Sequence, residues 1–362
     1  MPRAEMRPLD AALDGPALNL AELAADARGR LDPVHWDFFS GGAGEERTVR
    51  ANEAAFARRY LVPRVLRGAA RRDLRVSLFG SRISMPVLIA PTAFHRLAHP
   101  EGEVATARAA TEAGTIMVVS MAATRPVEEI AAAGGPLWFQ LYPQPDLDFT
   151  ASVVRRAEAA GCSALVVTVD SPVFGRRERD LRHGFVDLPA GLSCENMRDA
   201  TGRVRDIEMD AGLDWARIAR LREITALPIL LKGVLHPADA ALAVSYGLDG
   251  LLVSNHGGRQ LDGALATLDA LPAVVEAVGG RLPVLLDGGV RRGADVLVAL
   301  ALGASAVLVG RPVLWGLAVG GAAGVRHVLD LLHADLDRTL TLAGVAGPAD
   351  LRDDLVATVA CG

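Results

Sequence analysis

Residues 283–311 read PVLLDGGVRRGADVLVALALGASAVLVGR. Two short apolar runs, Pro283–Leu286 and Ala306–Val309, enclose a glycine-rich loop and an amphipathic stretch rich in Ala, Leu and Arg. A four-residue apolar run without polar alternation is typical of a strand that is buried on both faces of a parallel sheet. The segment therefore predicts a strand, a crossover helix and a second parallel strand.

The same pattern recurs eight times from about Ile83 onward. The apolar runs are Pro86–Ala90, Ile116–Val119, Leu137–Leu141, Ala164–Val169, Pro228–Leu231, Gly250–Val253, Pro283–Leu286 and Ala306–Val309. Eight units over roughly 280 residues predict an α/β fold, the (β/α)8 TIM barrel, whose usual size is about 250 residues. A doubly wound open sheet is the alternative, but that fold does not require eight such regular units.

Two segments depart from the repeat. Residues 1–80 are predicted to be a helical extension, with amphipathic stretches near Leu18–Ala27 and Pro33–Phe39. Residues 81–362 are predicted to form the barrel as one functional domain. The segment Ser171–Asp214, after the fourth strand, is a long loop rich in Arg, Asp and Gly, which is typical of a lid or a disordered segment.

Composition argues against several classes of protein. The 38 basic and 43 acidic residues give a formal charge of −5, and no basic stripe suggests a nucleic-acid surface. Met1–Asp10 lacks the apolar core of a signal peptide, and the longest apolar stretch, Val296–Val309, is too short to span a membrane. Cys162, Cys194 and Cys361 have no metal-binding spacing. We therefore expect a cytoplasmic protein with free thiols that uses no metal and binds neither nucleic acid nor membrane.

Polar residues follow every predicted strand, which is where the chemistry of a barrel is located. In chain order they are Pro91-Thr92-Ala93, Ser120, Gln140 with Tyr142, Thr168 with Asp170, Lys232, Ser254 through Gln260, Asp287 through Arg291, and Gly310-Arg311. Because the carboxyl ends of parallel strands meet at one end of the barrel, we expect these side chains to converge on a single mouth.

The last two strand ends indicate a phosphate site. Gly288, Gly289 and Gly310 allow the backbone to approach a ligand closely, and Arg291 and Arg311 can bind phosphate oxygens in a bidentate manner. The loops after strands seven and eight are the usual phosphate position in this fold. The alternative is that these are ordinary turn glycines and surface arginines. The presence of glycine together with arginine in both loops favours the phosphate site.

The segment Ser254-Asn-His-Gly-Gly-Arg-Gln260 resembles the signature of the FMN-dependent 2-hydroxy acid oxidase and dehydrogenase family, which includes glycolate, lactate and mandelate enzymes. Five more segments resemble that family's motifs in the family's order: Pro91-Thr-Ala93, Thr168-Val-Asp170, Leu231-Lys-Gly233, Asp287-Gly-Gly-Val-Arg-Arg-Gly293 and Val309-Gly-Arg-Pro312. The resemblance extends from about Val34 to about Gly344. It implies a flavin barrel with FMN as cofactor.

The resemblance also implies roles for the catalytic residues. His256 is the active-site base, and Asp170 orients the imidazole and stabilises its charged form. Arg259 and Arg177 bind the substrate carboxylate, and Tyr142 hydrogen-bonds the substrate. Asp170 has the alternative role of capping a helix. A structural role is the expectation for the histidines outside the motif, namely His95, His99, His183 and His327.

Further residues are assigned to the cofactor by the same resemblance. Lys232 is the one lysine among 38 Lys and Arg residues, and its compact ammonium would lie beside the flavin and stabilise the negative charge of the reduced ring. The isoalloxazine ring would be held by Pro91, Thr92, Ala93, Ser120, Gln140 and Thr168. Ser254 would bind the ribityl chain or the ring region, and Asp287 is also assigned to the cofactor. Gly288, Gly289, Arg291, Gly310 and Arg311 would hold the phosphate.

Two positions differ from the pattern of many family members. Phe38 occupies the place of a tyrosine that contacts the substrate carboxylate, and Ala122 occupies the place of a tryptophan in glycolate oxidases. Phe38 makes the substrate pocket more apolar, and Ala122 makes it larger. Both changes favour a mandelate-like or lactate-like substrate over glycolate. The 4-hydroxymandelate oxidases are the family members most similar in this respect.

The predicted reaction is FMN-dependent oxidation of an (S)-2-hydroxy acid to the 2-oxo acid, with O2 as acceptor and H2O2 as product. The fourth loop carries Arg176-Arg-Glu-Arg-Asp180 and no apolar membrane insertion, which favours oxygen over a membrane quinone. The alternatives are a dehydrogenase with another acceptor, a relative that modifies a peptide, another phosphate-binding flavin barrel such as type 2 isopentenyl diphosphate isomerase, and a non-catalytic barrel. The resemblance further implies a homo-oligomer, a tetramer or octamer.

Overall fold

The computed structural model describes residues 16–68 and 72–358. Met1–Asp10 and Cys361, which entered the sequence analysis, lie outside these residues. The chain begins with helices α1 (Leu20–Arg30), α2 (Pro33–Ser40) and α3 (Arg47–Ala57). The side chain of Asn19 accepts hydrogen bonds from two backbone N–H groups of α1, and that of Asp32 accepts one from α2, whose first residue is a proline. The helices predicted for the extension are therefore confirmed within its described residues.

The extension also contains β-structure that the sequence analysis did not predict. Strand β1 (Arg59–Leu61) lies near the end of the extension, and strands β2 (Val76–Leu78) and β3 (Ser81–Ile83) form an antiparallel hairpin. Phe79 and Gly80, the two turn residues, have positive φ, which is the backbone geometry of a tight hairpin turn. The domain boundary predicted after residue 80 falls at this turn and stays a prediction.

Eight parallel strands close into a barrel, as predicted. They are β4 (Val87–Ile89), β5 (Met117–Ser120), β6 (Leu137–Leu141), β7 (Leu165–Thr168), β8 (Ile229–Val234), β9 (Gly250–Val253), β10 (Val284–Asp287) and β11 (Ala306–Val309). Each strand pairs with its sequence neighbours, and β11 pairs with β4. The alternative fold, a doubly wound open sheet, is thereby excluded.

Helices surround the barrel. They are α4 (Glu103–Ala113), α5 (Val127–Ala131), α6 (Leu147–Ala159), α7 (Glu178–His183) in the long loop, α8 (Trp215–Ile224), α9 (Pro237–Ser245), α10 (Thr267–Val278), α11 (Gly293–Ala301) and α12 (Arg311–Ala343). A last short strand, β12 (Val356–Thr358), pairs with β1 and so ties the carboxyl-terminal segment to the extension.

The barrel strands are apolar on both faces because both faces are buried. On β4, Val87 and Ile89 belong to the core that includes the helices, whereas Leu88 belongs to a second cluster with Trp138. Phe79 of the hairpin meets the Trp138 ring edge-on at 5.5 Å and extends that cluster. Truncating so large a buried ring costs about 3–5 kcal/mol. Packing on both faces therefore stabilises the strands whose ends carry the predicted site residues.

Helix α12 is the one helix of the described ranges that is long and apolar enough to cross a membrane. Its most apolar part is 61% buried inside the protein, and it packs against α1, α4 and α11. Gly320 and Gly321 interrupt its helical backbone. These features are typical of the core helix of a globular protein.

The long loop, residues 171–214, is folded over the mouth of the barrel. Besides α7 it contains a short 3₁₀ turn, Glu195–Met197, whose Asn196 and Met197 are buried. The Asn196 side chain accepts a hydrogen bond from Val127 N and donates one to Ser120 O. Of the two expectations for this loop, a covering segment rather than a disordered one is observed.

Candidate active site

The carboxyl ends of the strands open into a cavity of about 700 Å³. Nearly all predicted site residues line it: Phe38, Pro91, Thr92, Ala93, Ser120, Ala122, Gln140, Tyr142, Thr168, Arg177, Lys232, His256, Arg259, Asp287, Gly288, Gly289, Arg291, Gly310 and Arg311. Asp170 and Ser254 do not line the cavity, but both contact His256. The predicted contact of Ser254 with the cofactor stays a prediction, since its hydroxyl accepts a hydrogen bond from the His256 backbone.

His256 is held in a single orientation. Its Nδ1 lies 2.9 Å from Asp170 Oδ1, and its Nε2 lies 3.4 Å from the Tyr142 hydroxyl. Ser171 Oγ donates to the same Asp170 oxygen at 3.1 Å. The backbone of His256 has φ +59°, a left-handed conformation that costs a non-glycine residue about 1–3 kcal/mol. The hydrogen bond from His256 N to Ser254 Oγ stabilises that backbone conformation.

The charges around His256 favour a neutral imidazole paired with a carboxylate. Burial, followed by the positive charge of Lys232, lowers the pKa of His256, while Asp170 opposes the shift. Burial alone would raise the pKa of Asp170, but the His256 and Lys232 charges lower it to about 2. At neutral pH, His256 Nε2 can therefore accept a proton, and Asp170 is ready to stabilise the imidazolium that results.

The inner wall of the cavity fits a flavin ring. The oxygen of the Gln140 side chain accepts hydrogen bonds from Met121 N and Ser120 Oγ, so its amide N–H groups remain for a ligand. Gln140 Nε2, Thr168 Oγ1 and Asp287 Oδ1 are buried and find no partner within the described part of the chain. Lys232 Nζ lies 3.7 Å from Asp287 Oδ2. Buried polar groups of this kind need a partner, and a heterocycle with several carbonyl and nitrogen atoms supplies it.

The loops after β10 and β11 fit a phosphate. Gly288 and Gly289 have φ of +92° and +90°, and a Cβ on Gly289 would lie 2.4 Å from Asn52 O, so only glycine fits there. Burial lowers the pKa of Arg311 to about 10, and the charge of Arg291 adds to that shift. Two guanidinium groups that line the same part of the cavity favour an anionic ligand such as a phosphate.

The substrate side of the cavity contains two further guanidinium groups around one aromatic ring. Arg259 Nη1 donates to Phe38 O at 2.6 Å and to Gly41 O at 3.0 Å, and Arg177 Nε pairs with Asp180 Oδ2 at 3.0 Å. Both guanidinium carbons lie over the Phe38 ring, at 5.0 and 5.4 Å from its centre. Burial, together with the charges of Arg177 and Arg311, lowers the pKa of Arg259 to about 9. An anionic ligand would relieve this repulsion.

Sequence reasoning missed the outer wall of the cavity. Apolar side chains of the long loop complete that wall: Phe174, Leu181, Phe185, Val186 and Leu192. Phe185 contacts Phe38 with ring centres 5.1 Å apart, whereas Phe174 and Val186 are largely exposed. An irregular loop has no periodicity, so nothing in the sequence indicated which of its side chains face inward.

A second omission is the paired amides of Asn52 and Asn255. Each side chain donates to the other's oxygen, at 2.9 and 2.7 Å, and both are buried. This pair joins α3 of the extension to the loop that carries His256. Asn255 stands inside the recognised motif and could have been singled out, but Asn52 carries no local signal.

Comparison with known proteins agrees with this geometry. The model of a family described as FMN-dependent dehydrogenase matches residues 27–358. An L-lactate oxidase from a Nostoc species is 47% identical over 92% of this chain and 96% of its own length. The 2-hydroxyacid oxidase 2 of Rattus norvegicus is 46% identical over 94% of this chain and 98% of its own. A structure of mandelate oxidase with (S)-2-phenylpropionate superimposes with a TM-score of 0.89 at 44% identity, over 95% of this chain and 99% of that one. The chain therefore belongs to the FMN-dependent dehydrogenase family and is an oxidoreductase with FMN as its cofactor.

Proposed function

We propose that the protein oxidises an (S)-2-hydroxy acid to the 2-oxo acid and passes the electrons to O2. The observation that carries the proposal is the convergence of a neutral imidazole, His256, with two guanidinium groups, Arg177 and Arg259, at one end of the cavity. Together they match the hydroxyl and the carboxylate of such a substrate. The relatives named as lactate, 2-hydroxyacid and mandelate oxidases support the same class.

The chain's own residues divide the work. Arg259 and Arg177 bind the carboxylate, and the Tyr142 hydroxyl donates to the substrate, since burial raises the pKa of Tyr142 and keeps the hydroxyl protonated. His256 Nε2 accepts a proton, and Asp170 stabilises the resulting charge. Bound FMN supplies the acceptor for the two electrons that leave the substrate. The complete reaction converts one hydroxy acid and one O2 into one oxo acid and one H2O2.

The space in the outer part of the cavity and its apolar lining favour a substrate larger than glycolate. The small side chain of Ala122 leaves space in the cavity, and the apolar side chains of the long loop extend the surface on which an aliphatic or aromatic group can pack. A mandelate-like or lactate-like acid fits these features. The cytoplasmic location and the homo-oligomeric state remain predictions.

The test uses the purified yellow holoenzyme without oxygen. (S)-Mandelate or (S)-lactate is expected to bleach the flavin absorbance, whereas (R)-mandelate, the matched control, is expected to leave it unchanged. Admission of O2 should restore the colour and release one H2O2 per substrate. Bleaching followed by slow oxygen reaction but fast dye reduction would overturn the acceptor assignment in favour of a dehydrogenase. Absence of bleaching with all 2-hydroxy acids would overturn the substrate class and favour a peptide-modifying role.

A further inference from the structure

A carboxylate of the amino-terminal extension lies at the edge of the phosphate site. Glu53 of α3 places Oε1 2.9 Å from Nη2 of Arg291, one of the two arginines that line this part of the cavity. The Glu53 side chain is 53% exposed and that of Arg291 only 22%. The ion pair therefore joins a solvent-facing anion to a cation that faces the ligand.

The position of Glu53 is fixed by the backbone of α3. Asn52, the preceding residue, is locked to Asn255 by two hydrogen bonds. A Cβ on Gly289 would lie 2.4 Å from Asn52 O and 3.1 Å from Glu53 N, so α3 touches the glycine turn directly. This packing fixes the backbone of Glu53 beside the phosphate site, within reach of Arg291.

Arg291 does not depend on Glu53 for its orientation. Its Nη1 donates to Val290 O at 2.9 Å, and its guanidinium carbon lies 5.2 Å from the centre of the Trp315 ring. A carbonyl and an aromatic face thus hold the group from two other directions. Loss of the Glu53 charge is expected to leave Arg291 in place.

The other carboxylate near Arg291 has a different task. Asp295 Oδ2 accepts hydrogen bonds from the backbone N–H groups of Arg291 and Arg292, both at 2.8 Å, and so caps α11. The negative charge of Glu53 acts on the guanidinium groups of both Arg291 and Arg311. Glu53 therefore reduces the positive potential of the phosphate site, although its side chain does not line the cavity.

We propose that Glu53 competes with the cofactor phosphate for Arg291 and thereby weakens FMN binding. The protein holds FMN less tightly than its two arginines and glycine turns would allow. The charge of one exposed side chain sets the exchange of cofactor between holoenzyme and solution.

The test compares Glu53→Gln with Glu276→Gln, which removes one exposed carboxylate from α10 and serves as the charge-matched control. FMN release is followed by the rise of flavin fluorescence after dilution of each holoenzyme, and affinity is measured by fluorescence titration of deflavinated protein. Because the Glu53 carboxylate is half exposed and so partly screened by water, Glu53→Gln is expected to raise FMN affinity by roughly two- to tenfold, with the gain shrinking as salt is added.

Riboflavin, which lacks the phosphate, distinguishes charge competition from a change of fold. Its affinity is expected to be equal in the parent protein, Glu53→Gln and Glu276→Gln. Unchanged or weaker FMN binding in Glu53→Gln would overturn the proposal, as would an equal shift of riboflavin and FMN. Glu53→Ala also removes the hydrogen bond, so weaker FMN binding in this variant alongside unchanged binding in Glu53→Gln would instead make Glu53 a positioning residue for Arg291.

Discussion

The two halves of the cavity are built by different means. The inner half consists of strand ends such as Gln140, Thr168 and Lys232, which are nearly fully buried and fixed by the barrel hydrogen bonds. The outer half consists of α2, the long loop, and Ala122 and Arg259, which lie beyond the ends of β5 and β9. In the long loop, Phe174 is 59% and Val186 89% exposed. The inner half is suited to constant chemistry on a bound cofactor. The outer half can vary without disturbing that chemistry, so we expect it to determine substrate choice.

The largest expected effect comes from removing the base at the boundary of the two halves. His256→Ala is expected to retain FMN, because no phosphate-site residue is altered, but to slow flavin reduction by roughly 10²- to 10⁴-fold. Stopped-flow absorbance without oxygen measures the rate. His333→Ala, a change of an exposed histidine on α12, is the control. Normal reduction by His256→Ala would remove His256 from the mechanism.

The next effect separates the two arginines of the outer half. Lysine cannot reproduce the bidentate contact of a guanidinium group with a carboxylate. Arg259 is held by the carbonyls of Phe38 and Gly41 and forms no ion pair with a carboxylate within residues 16–68 and 72–358. Arg259→Lys is therefore expected to raise KM by roughly 30-fold or more.

Arg177→Lys serves as the internal comparison for this variant. Arg177 is already paired with Asp180, so its replacement is expected to raise KM by only about three- to tenfold. Steady-state assays with (S)-lactate give both values. Equal increases in the two variants would mean that Arg177 carries as much of the carboxylate binding as Arg259.

The difference between the halves also explains what the sequence could predict. Strand ends recur at the same point of each strand–helix repeat, so the sequence alone predicts that Gln140, Lys232 and Arg311 lie at the mouth of the barrel. Phe185 and Leu181 lie in a loop without periodicity, and their placement depends on tertiary packing. Asp180 was passed over for a similar reason, since a carboxylate in an Arg-rich loop has many possible partners. The hairpin of residues 76–83 was missed because strands of three residues are too short to show alternation.

The pH dependence of kcat/KM should follow the protonation of His256, the base at the boundary of the two halves. Only the neutral imidazole of His256 can accept a proton, so kcat/KM should rise with pH through the pKa of His256 and fall about tenfold for each pH unit below it. Burial and Lys232 lower that pKa, so the acid limb should have its midpoint below 6.5. A midpoint above 6.5 would point to another group.

The variant Asp170→Asn tests whether the acid limb of the kcat/KM profile reports the protonation of His256. Asp170 opposes the lowering of the His256 pKa, so its loss should move the limb further toward acid while the maximal rate falls. A profile measured from pH 4.5 to 8 on both proteins gives the comparison. An acid limb that stays in place in Asp170→Asn would contradict the assignment to His256.

The smallest effect tests whether the outer half alone sets specificity. Ala122 is 7% exposed and lines the same cavity as Phe38, so larger side chains at this position should reduce the space for the substrate. The graded series Ala122→Leu and Ala122→Trp is expected to lower kcat/KM for (S)-mandelate relative to glycolate, by about three- to tenfold for tryptophan, in line with the modest selectivity that apolar pocket contacts supply. FMN affinity and the rate of flavin reoxidation by O2 should stay constant, because these depend on the inner half. If either changes as much as the substrate ratio, the two halves are not independent, and specificity in this protein would have to be sought in the position of the flavin itself.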